Sequence, residues 1–218
     1  MSIIQIDSIS KSFGGKTILQ DVFLQCKTGE IAGILGRNGS GKSTLFQIVT
    51  CALKAGHKFV KIDEKLIRSS FDTLGNINYL PQFHFLPSHL KIKTSLSAYV
   101  SGDNREKLFE NPHISPFLNA KPKELSGGEL RIIEVLMLIY SSSKFTILDE
   151  PFHSLSPKVT EEIKLSIKEN LPDKGFIISD HQYNHITELS DALYLLSETS
   201  LKLVKDRSDL KFYGYINF

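Results

Sequence analysis

Tryptophan is absent from the 218 residues, and cysteine and methionine occur twice each. Cys26 and Cys51 lie in apolar or strand-like surroundings, far from any metal-ligand spacing. Both are expected as buried, reduced thiols rather than a disulfide, which fits a cytoplasmic chain. Charge of one sign is not in excess either: 26 basic residues face 24 acidic ones, and no basic block or stripe marks a nucleic-acid surface. No nucleic acid is therefore expected as a partner. Long apolar runs are also missing. The longest, Val135 to Tyr140, is far below the roughly 18 residues a spanning helix needs. Met1 to Asp7 shows no basic segment followed by a long apolar one, so a signal peptide is not expected. Work at a membrane would require another chain to hold this one there. No internal repeat or low-complexity segment is found. What remains, 41% hydrophobic and 23% charged, suits one domain with room for two lobes.

The most informative stretch is Gly36-Arg37-Asn38-Gly39-Ser40-Gly41-Lys42-Ser43-Thr44. It follows the apolar run Ile31 to Leu35, short enough for a buried strand, and precedes Leu45 to Val49, which suits the first turns of a helix. Glycines at 36, 39 and 41 are expected to take positive φ angles, so that several N–H groups converge on a polyphosphate. The helix start near Lys42 adds its positive dipole end. Lys42 would reach the outer phosphates, and the Ser43 hydroxyl would ligate a bridging magnesium ion.

Along the chain, residues 3 to 13 and 17 to 26 read as paired strands around the turn signal Gly14-Gly15. Phe13, at that turn, could stack on a purine, although a single Phe is more often core. Lys58 to Asp63 and Ile77 to Leu80 are further strands; Gln82 then stands where sheets of this kind meet their ligands. Residues 83 to 124 change to a helical pattern broken by Pro87, Pro112, Pro116 and Pro122. The cluster Phe83, Phe85, Leu86 and Leu90 is expected as core of that region, with a groove for a partner's helix as the alternative. Ser126, Gly127 and Gly128 open a helix that is apolar nearly all round from Leu130 to Tyr140, and make a second anion site or a plain helix cap. The strand Phe145 to Leu148 ends in Asp149-Glu150, a pair suited to a magnesium shell and to activating water. A helix over 157 to 170 and the strand Phe176 to Ser179 follow; the latter ends in Asp180-His181, whose imidazole could donate to a terminal phosphate. His84, His153 and His185 show no comparable spacing and are expected at the surface or in packing. Residues 192 to 196 and 201 to 204 form a closing hairpin, and 209 to 218 carry no pattern.

In this order and spacing, Phe13, Gly36 to Thr44, Gln82, Leu125 to Glu129, Asp149-Glu150 and His181 resemble the nucleotide-binding cassette of ATP-binding cassette (ABC) transporters over nearly the whole chain. The resemblance implies an α/β fold with a P-loop NTPase (RecA-like) core: a mostly parallel sheet, an antiparallel N-terminal β portion and a helical lobe. A single domain is implied, with a core lobe at about 1–82 and 141–218 and a helical lobe at about 83–140. It implies ATP and Mg2+ as ligands and ATP hydrolysis as the activity, driving transport by separate membrane subunits. By the same resemblance Phe13 would stack adenine and Gly36, Arg37, Asn38, Gly39, Ser40, Gly41, Lys42, Ser43 and Thr44 would form the Walker A loop. Gln82 would be the Q-loop glutamine and, with Ser43 and Asp149, a magnesium ligand. Ser126, Gly127 and Gly128 would be the signature, Glu150 the catalytic base and His181 the switch histidine, with Lys42 as a third catalytic group. Such cassettes pair head to tail, so a second copy is the implied partner and the chain would sit peripherally on a membrane through its transmembrane subunits.

Three positions depart from the pattern. Glu129 stands where glutamine is usual, adding a charge that weakens closure; Ser156 replaces an aspartate that bridges the two sites; Phe13 replaces a tyrosine. The rival readings are a soluble ABC-type ATPase acting on nucleic acid or the ribosome, and a small-molecule kinase. The first usually carries two cassettes or a coiled-coil insertion, which residues 83 to 124 lack; the second leaves Gly127-Gly128 and the 149, 150 and 181 set unexplained.

Overall fold

Alternating β-branched and apolar residues draw the first 27 positions into β1 (Ile3–Phe13) and β2 (Lys16–Lys27), an antiparallel pair closed at Gly14-Gly15 with Phe13 opposite Lys16. The computed structural model describes residues 1–216, without the Arg207 side chain. Residues 217 and 218, which end the expected core lobe and the patternless tail, lie outside the described residues. After β3 (Ile31–Leu35) and α1 (Lys42–Val49), β4 (His57–Ile62) pairs with β1 and carries the short β5 (Lys65–Leu66). This completes a four-stranded sheet of order β2-β1-β4-β5.

The second sheet holds the site. The chain passes through α2 (Ser70–Thr73), β6 (Ile77–Leu80), α3 (Ile92–Tyr99), α4 (Gly102–Glu110), α5 (Gly127–Ile139) and β7 (Phe145–Asp149). It continues through α6 (Pro157–Asn170), β8 (Gly175–Ser179), α7 (Tyr183–Leu189), the hairpin β9 (Ala192–Ser197) and β10 (Ser200–Val204), and α8 (Arg207–Phe212). Six strands line up as β10-β9-β3-β8-β7-β6, all parallel except the edge strand β10. β3, β7 and β8 are buried at every position, as strands covered on both faces must be. Their side chains alternate between two cores. Ile31, Leu35, Leu148, Phe176 and Ile178 pack with α5 and α6, whereas Ala32, Ile34, Ile147 and Ile177 pack with α1 and the antiparallel sheet.

Helix α5 touches α3, α6, β6 and β7, which explains its nearly continuous apolar sequence. Two charges nevertheless lie buried in it, Arg131 and Glu134, and the periodicity alone did not reveal them. Its C-terminal end is closed by another buried charge. Lys174 Nζ donates to the carbonyls of Leu138 and Ile139 at 2.9 and 2.8 Å, and to the Ser141 and Thr146 hydroxyls at 3.0 and 3.3 Å. An ammonium at a helix C-terminus complements the dipole and the orphan carbonyls there.

Other expectations are corrected. Phe83 is 66% exposed and so is not core, although Leu86 is buried and Phe85 packs against the core. Cys26 and Cys51 are free thiols; Cys26 is buried, and burial pushes it up to about 12. Cys51 is only half-buried, in the turn after α1, with Lys58 Nζ 2.8 Å from its sulfur.

Burial pushes the Lys174 ammonium down to about 7 from its ordinary 10.5. Between those two values the unfolded chain binds more protons at this group than the folded one, so Lys174 adds stability as pH rises. The expected outcome for Lys174→Met is a loss of about 1–3 kcal/mol from unpaired carbonyls, with a gap to the unmodified chain that widens between pH 7 and 9; urea unfolding at the two pH values checks it.

Candidate functional site

The loop between β3 and α1 sits at the carboxyl ends of the parallel strands. Gly41 precedes α1 with φ 109° and no side-chain cap, which leaves the first amides of the helix free for a ligand. Gly39 also has positive φ, but Gly36 does not, contrary to expectation. Gly36 is needed for another reason: a Cβ there would lie 2.6 Å from Ser40 Oγ and 3.0 Å from the Leu196 carbonyl. The nearly buried Lys42 donates through Nζ to Gly36 O at 2.7 Å and Arg37 O at 3.3 Å. Burial lowers its pKa, while Glu150, Asp149 and Asp180 pull the other way.

A cleft of about 570 Å³ opens over this loop, lined by Phe13, Ile18, Asn38 to Thr44, Gln82 and Glu150. Its size suits a nucleotide. Phe13 is half exposed at the mouth, and Lys11 Nζ lies 4.7 Å from the centre of its ring. Arg37 turns elsewhere: its guanidinium donates to Gly214 O at 2.9 Å and lines a separate cleft beside Tyr213 and Tyr215. Only its backbone remains to the phosphate loop. Ile18 was not singled out from the sequence; it lies on β2 beside Gly41, where a Cβ would meet it at 2.9 Å.

Beneath the cleft, Asp149 is fully buried. Burial raises its pKa, opposed by hydrogen bonds from the Ser43 and Ser179 hydroxyls. Ser179 Oγ donates to it at 2.7 Å and Tyr79 Oη at 3.3 Å. Three strand-end carboxylates, Asp149, Glu150 and Asp180, thus face two buried cations, the Lys42 ammonium and the Arg131 guanidinium. One oxygen of the fully buried Asp180 has no hydrogen-bond partner among the described residues. That surplus of negative charge beside the Ser43 hydroxyl and Gln82 is a setting that fits a divalent cation. His181 Nδ1 lies 3.6 Å from Glu150 and 3.5 Å from Asp180. Glu150 itself has φ 52°, a left-handed conformation held by its N–H on Ser179 O at 2.8 Å.

Ser126, Gly127 and Gly128 are not brought to this cleft. Ser126 and Gly127 are exposed and Gly128 half-buried, beside the Ser154 carbonyl and the His84 ring. Ser126 caps α5, and Glu129 closes a capping box: Ser126 N and Oγ both donate to its carboxylate at 2.7 Å. The hydroxyl holds that carboxyl below its ordinary range. Ser156 caps α6 through its hydroxyl, a task an aspartate would also perform. Of the remaining histidines, His84 Nδ1 lies 2.9 Å from buried Glu134, His153 rests against His181, and His185 packs edge-on against Phe152.

A family model described as ABC transporter matches residues 19–153, well over half of the chain. The chain belongs to the ABC transporter family. It is 31% identical to the lipopolysaccharide export system ATP-binding protein LptB of Escherichia coli over 92% of this chain and 89% of that protein. It is 26% identical to the spermidine/putrescine import ATP-binding protein PotA of Bacteroides thetaiotaomicron over 96% of this chain and 48% of that protein. Among solved structures, one described as the ATP-binding subunit of an ABC transporter superposes with a TM-score of 0.84 at 18% identity, covering 98% of this chain and 94% of the other. A nucleotide-free ATP-binding cassette superposes with a TM-score of 0.78 at 22% identity, covering 99% and 96%. At those identities the structures speak for the fold. The family and the relative named as an ATP-binding protein make this ABC protein a nucleotide-binding subunit and an ATPase.

Two substitutions separate the base from the phosphates. Phe13→Ala is expected to weaken Mg-ATP by roughly tenfold, the worth of one stacked base, and to leave inorganic triphosphate binding unchanged. Lys42→Ala should weaken both by about a hundredfold, the loss of charge-assisted contacts worth ~3 kcal/mol. Calorimetric titration of both ligands into both variants distinguishes the roles.

Proposed function

We propose that Mg-ATP is bound over the phosphate loop of one copy and covered by Ser126, Gly127 and Gly128 of a second, so that hydrolysis occurs in a head-to-tail homodimer that drives transport by separate membrane subunits. The observation that carries this reading is the signature's position. It is a glycine-rich helix start open to solvent, yet absent from the residues that line its own cleft. Such a helix end offers anion-binding amides that a triphosphate held elsewhere can use.

Within one site the roles divide by position. Phe13 takes the adenine face. The amides of 36 to 44 and Lys42 take the phosphates, with Lys42 exchanging its two carbonyl partners for phosphate oxygens. Ser43, Asp149 and Gln82 would hold magnesium, which supplies charge neutralisation of the phosphates when bound. Glu150 accepts the proton of the attacking water, and His181, set against Glu150 and Asp180, donates toward the terminal phosphate. Electrostatic placement does most of the catalysis.

The exposed Phe83, just after Gln82, supports an apolar contact for a membrane subunit on the side of the expected helical lobe, 83–140. No described helix is long and apolar enough to cross a membrane, and in this reading the chain sits peripherally, on the cytoplasmic side, on membrane subunits that are separate chains. The relatives are named for export in one case and import in another, which supports a choice of cargo made by the membrane subunits. Those names favour transport over the nucleic-acid reading.

Glu150→Gln is expected to bind Mg-ATP, lose about 100-fold or more in turnover and accumulate as a dimer on size exclusion. Full activity in that variant would remove Glu150 as the base. Glu129→Gln keeps a capping acceptor without the charge; it should increase the dimer fraction at a given Mg-ATP concentration, measured in the Glu150→Gln background.

A further inference from the structure

Arg131 and Glu134 lie one turn apart on α5 and are 4% and 0% exposed. Buried charges in an apolar helix are costly unless each is met, and here main chain meets each, although Arg131 Nε has no partner among the described residues. Glu134 accepts from Phe85 N at 2.8 Å and Leu86 N at 3.3 Å, with His84 Nδ1 at 2.9 Å. Arg131 does the reverse and gathers carbonyls. Its Nη1 donates to Pro81 O at 2.6 Å, and its Nη2 to Asp149 O at 2.7 Å and Glu150 O at 2.9 Å. One side chain therefore grips the peptide just before Gln82 and both peptides of the 149–150 pair. Glu150 sits in a left-handed conformation that a non-glycine residue keeps only where its surroundings over-determine it. Its N–H is fixed by Ser179, and its carbonyl accepts from Arg131 Nη2 at 2.9 Å and from His153 N at 3.3 Å, so Arg131 supplies the shorter of the two bonds that hold that carbonyl.

We propose that Arg131 is a positioning residue for hydrolysis: from the helix whose tip is Ser126 to Gly128, it sets the main chain of Glu150 and of the entry to Gln82 together, so that water activation depends on how that helix is seated. The inference rests on the roles proposed above for Glu150 and for the signature. Its chemistry requires arginine. A planar guanidinium spans three carbonyls at once and stays charged when buried, whereas a lysine ammonium presents a single centre. The base and phosphate contacts proposed above do not pass through these carbonyls, because the phosphate loop and Phe13 lie on other segments; only the proposed magnesium ligands Gln82 and Asp149 adjoin them.

The test is Arg131→Lys in the full chain, measured by steady-state Mg-ATP hydrolysis, calorimetric affinity for ADP without magnesium and thermal midpoint. The expected result is a kcat lowered about tenfold or more, with the metal-free ADP Kd within about threefold, the split left when a positioning group is lost. If the lysine variant does not stay folded, Arg131→Gln, which keeps amide donors without a charge to bury, is expected to give the same split. An unchanged kcat overturns the proposal, as does a parallel fall of kcat, affinity and midpoint, which would mark a purely structural role. No turnover in the unmodified chain would sink both this inference and the function it rests on; turnover there with an equal kcat in Arg131→Lys sinks this one alone.

Discussion

The site is built on an imbalance of charge at the ends of three neighbouring parallel strands. β7 delivers Asp149 and, one residue on, Glu150; β8 delivers Asp180; β3 leads into the loop that returns Lys42. Lys42 and the buried Arg131 guanidinium together leave one of the three carboxylates unmatched. Two like charges 4 Å apart cost about 4 kcal/mol at an effective dielectric of 20, which the ordinary margin of a folded domain can carry but not ignore. Hydroxyls from Ser179, Tyr79 and Ser43 around Asp149 relieve part of it. A divalent cation would relieve the rest, and a polyphosphate would in turn need both the cation and Lys42. In the proposed function, the excess negative charge of the cluster and its attraction for Mg-ATP would thus have one origin.

That arrangement demands a rigid frame, and the frame is the parallel sheet with α5 laid across one side. Lys174 ties the C-terminal end of α5 to β7 and the adjoining turn, while Arg131 and Glu134 tie its middle to residues 81–86 and 149–150. The helix is apolar because it lies against strands and helices at once; its charges are the places where main chain approaches it instead of side chains. Burial of a charge on peptide groups has a consequence that apolar packing lacks. Apolar contacts carry no direction, whereas a guanidinium on three carbonyls does, so α5 is tied to the strand ends by directional contacts.

Legibility in the sequence followed from how restrictive each task is. The phosphate loop was visible because a strand, three glycines, a lysine and a hydroxyl must follow one another at fixed spacing, and Gly41 and Lys42 stand where that spacing put them. The 149–150 pair was visible because carboxylates at the end of a buried strand have few other uses. Gly36 was read correctly as necessary but for the wrong reason, since a close approach by Leu196, remote in sequence, cannot be seen from local pattern. Phe83 and Phe85 differ in burial for a related reason: two aromatic residues two apart read alike until the body beneath them is known. Arg131 and Glu134 were hidden by their own helix. Charges at i and i+3 in an apolar run suggest a local pair, and only the fold shows that their partners are main-chain groups some 20 to 50 residues away.

The two glycine-rich helix starts differ in a way that bears on how a dimer could work. α1 begins at Gly41 with no side-chain cap, so its amides wait for a ligand; α5 begins at Ser126 with its hydroxyl and amide already committed to Glu129. The first is ready to bind phosphate alone. The second is satisfied alone, and in the proposed dimer a triphosphate must compete with a carboxylate of the same sign for the same serine. Binding at the phosphate loop would then be strong and early, whereas capture by the opposing signature would be weaker and would depend on the full charge of the terminal phosphate. Loss of that phosphate returns Ser126 to Glu129. A glutamine in place of Glu129 would keep the cap and remove the repulsion, so the carboxylate at this position favours release over grip.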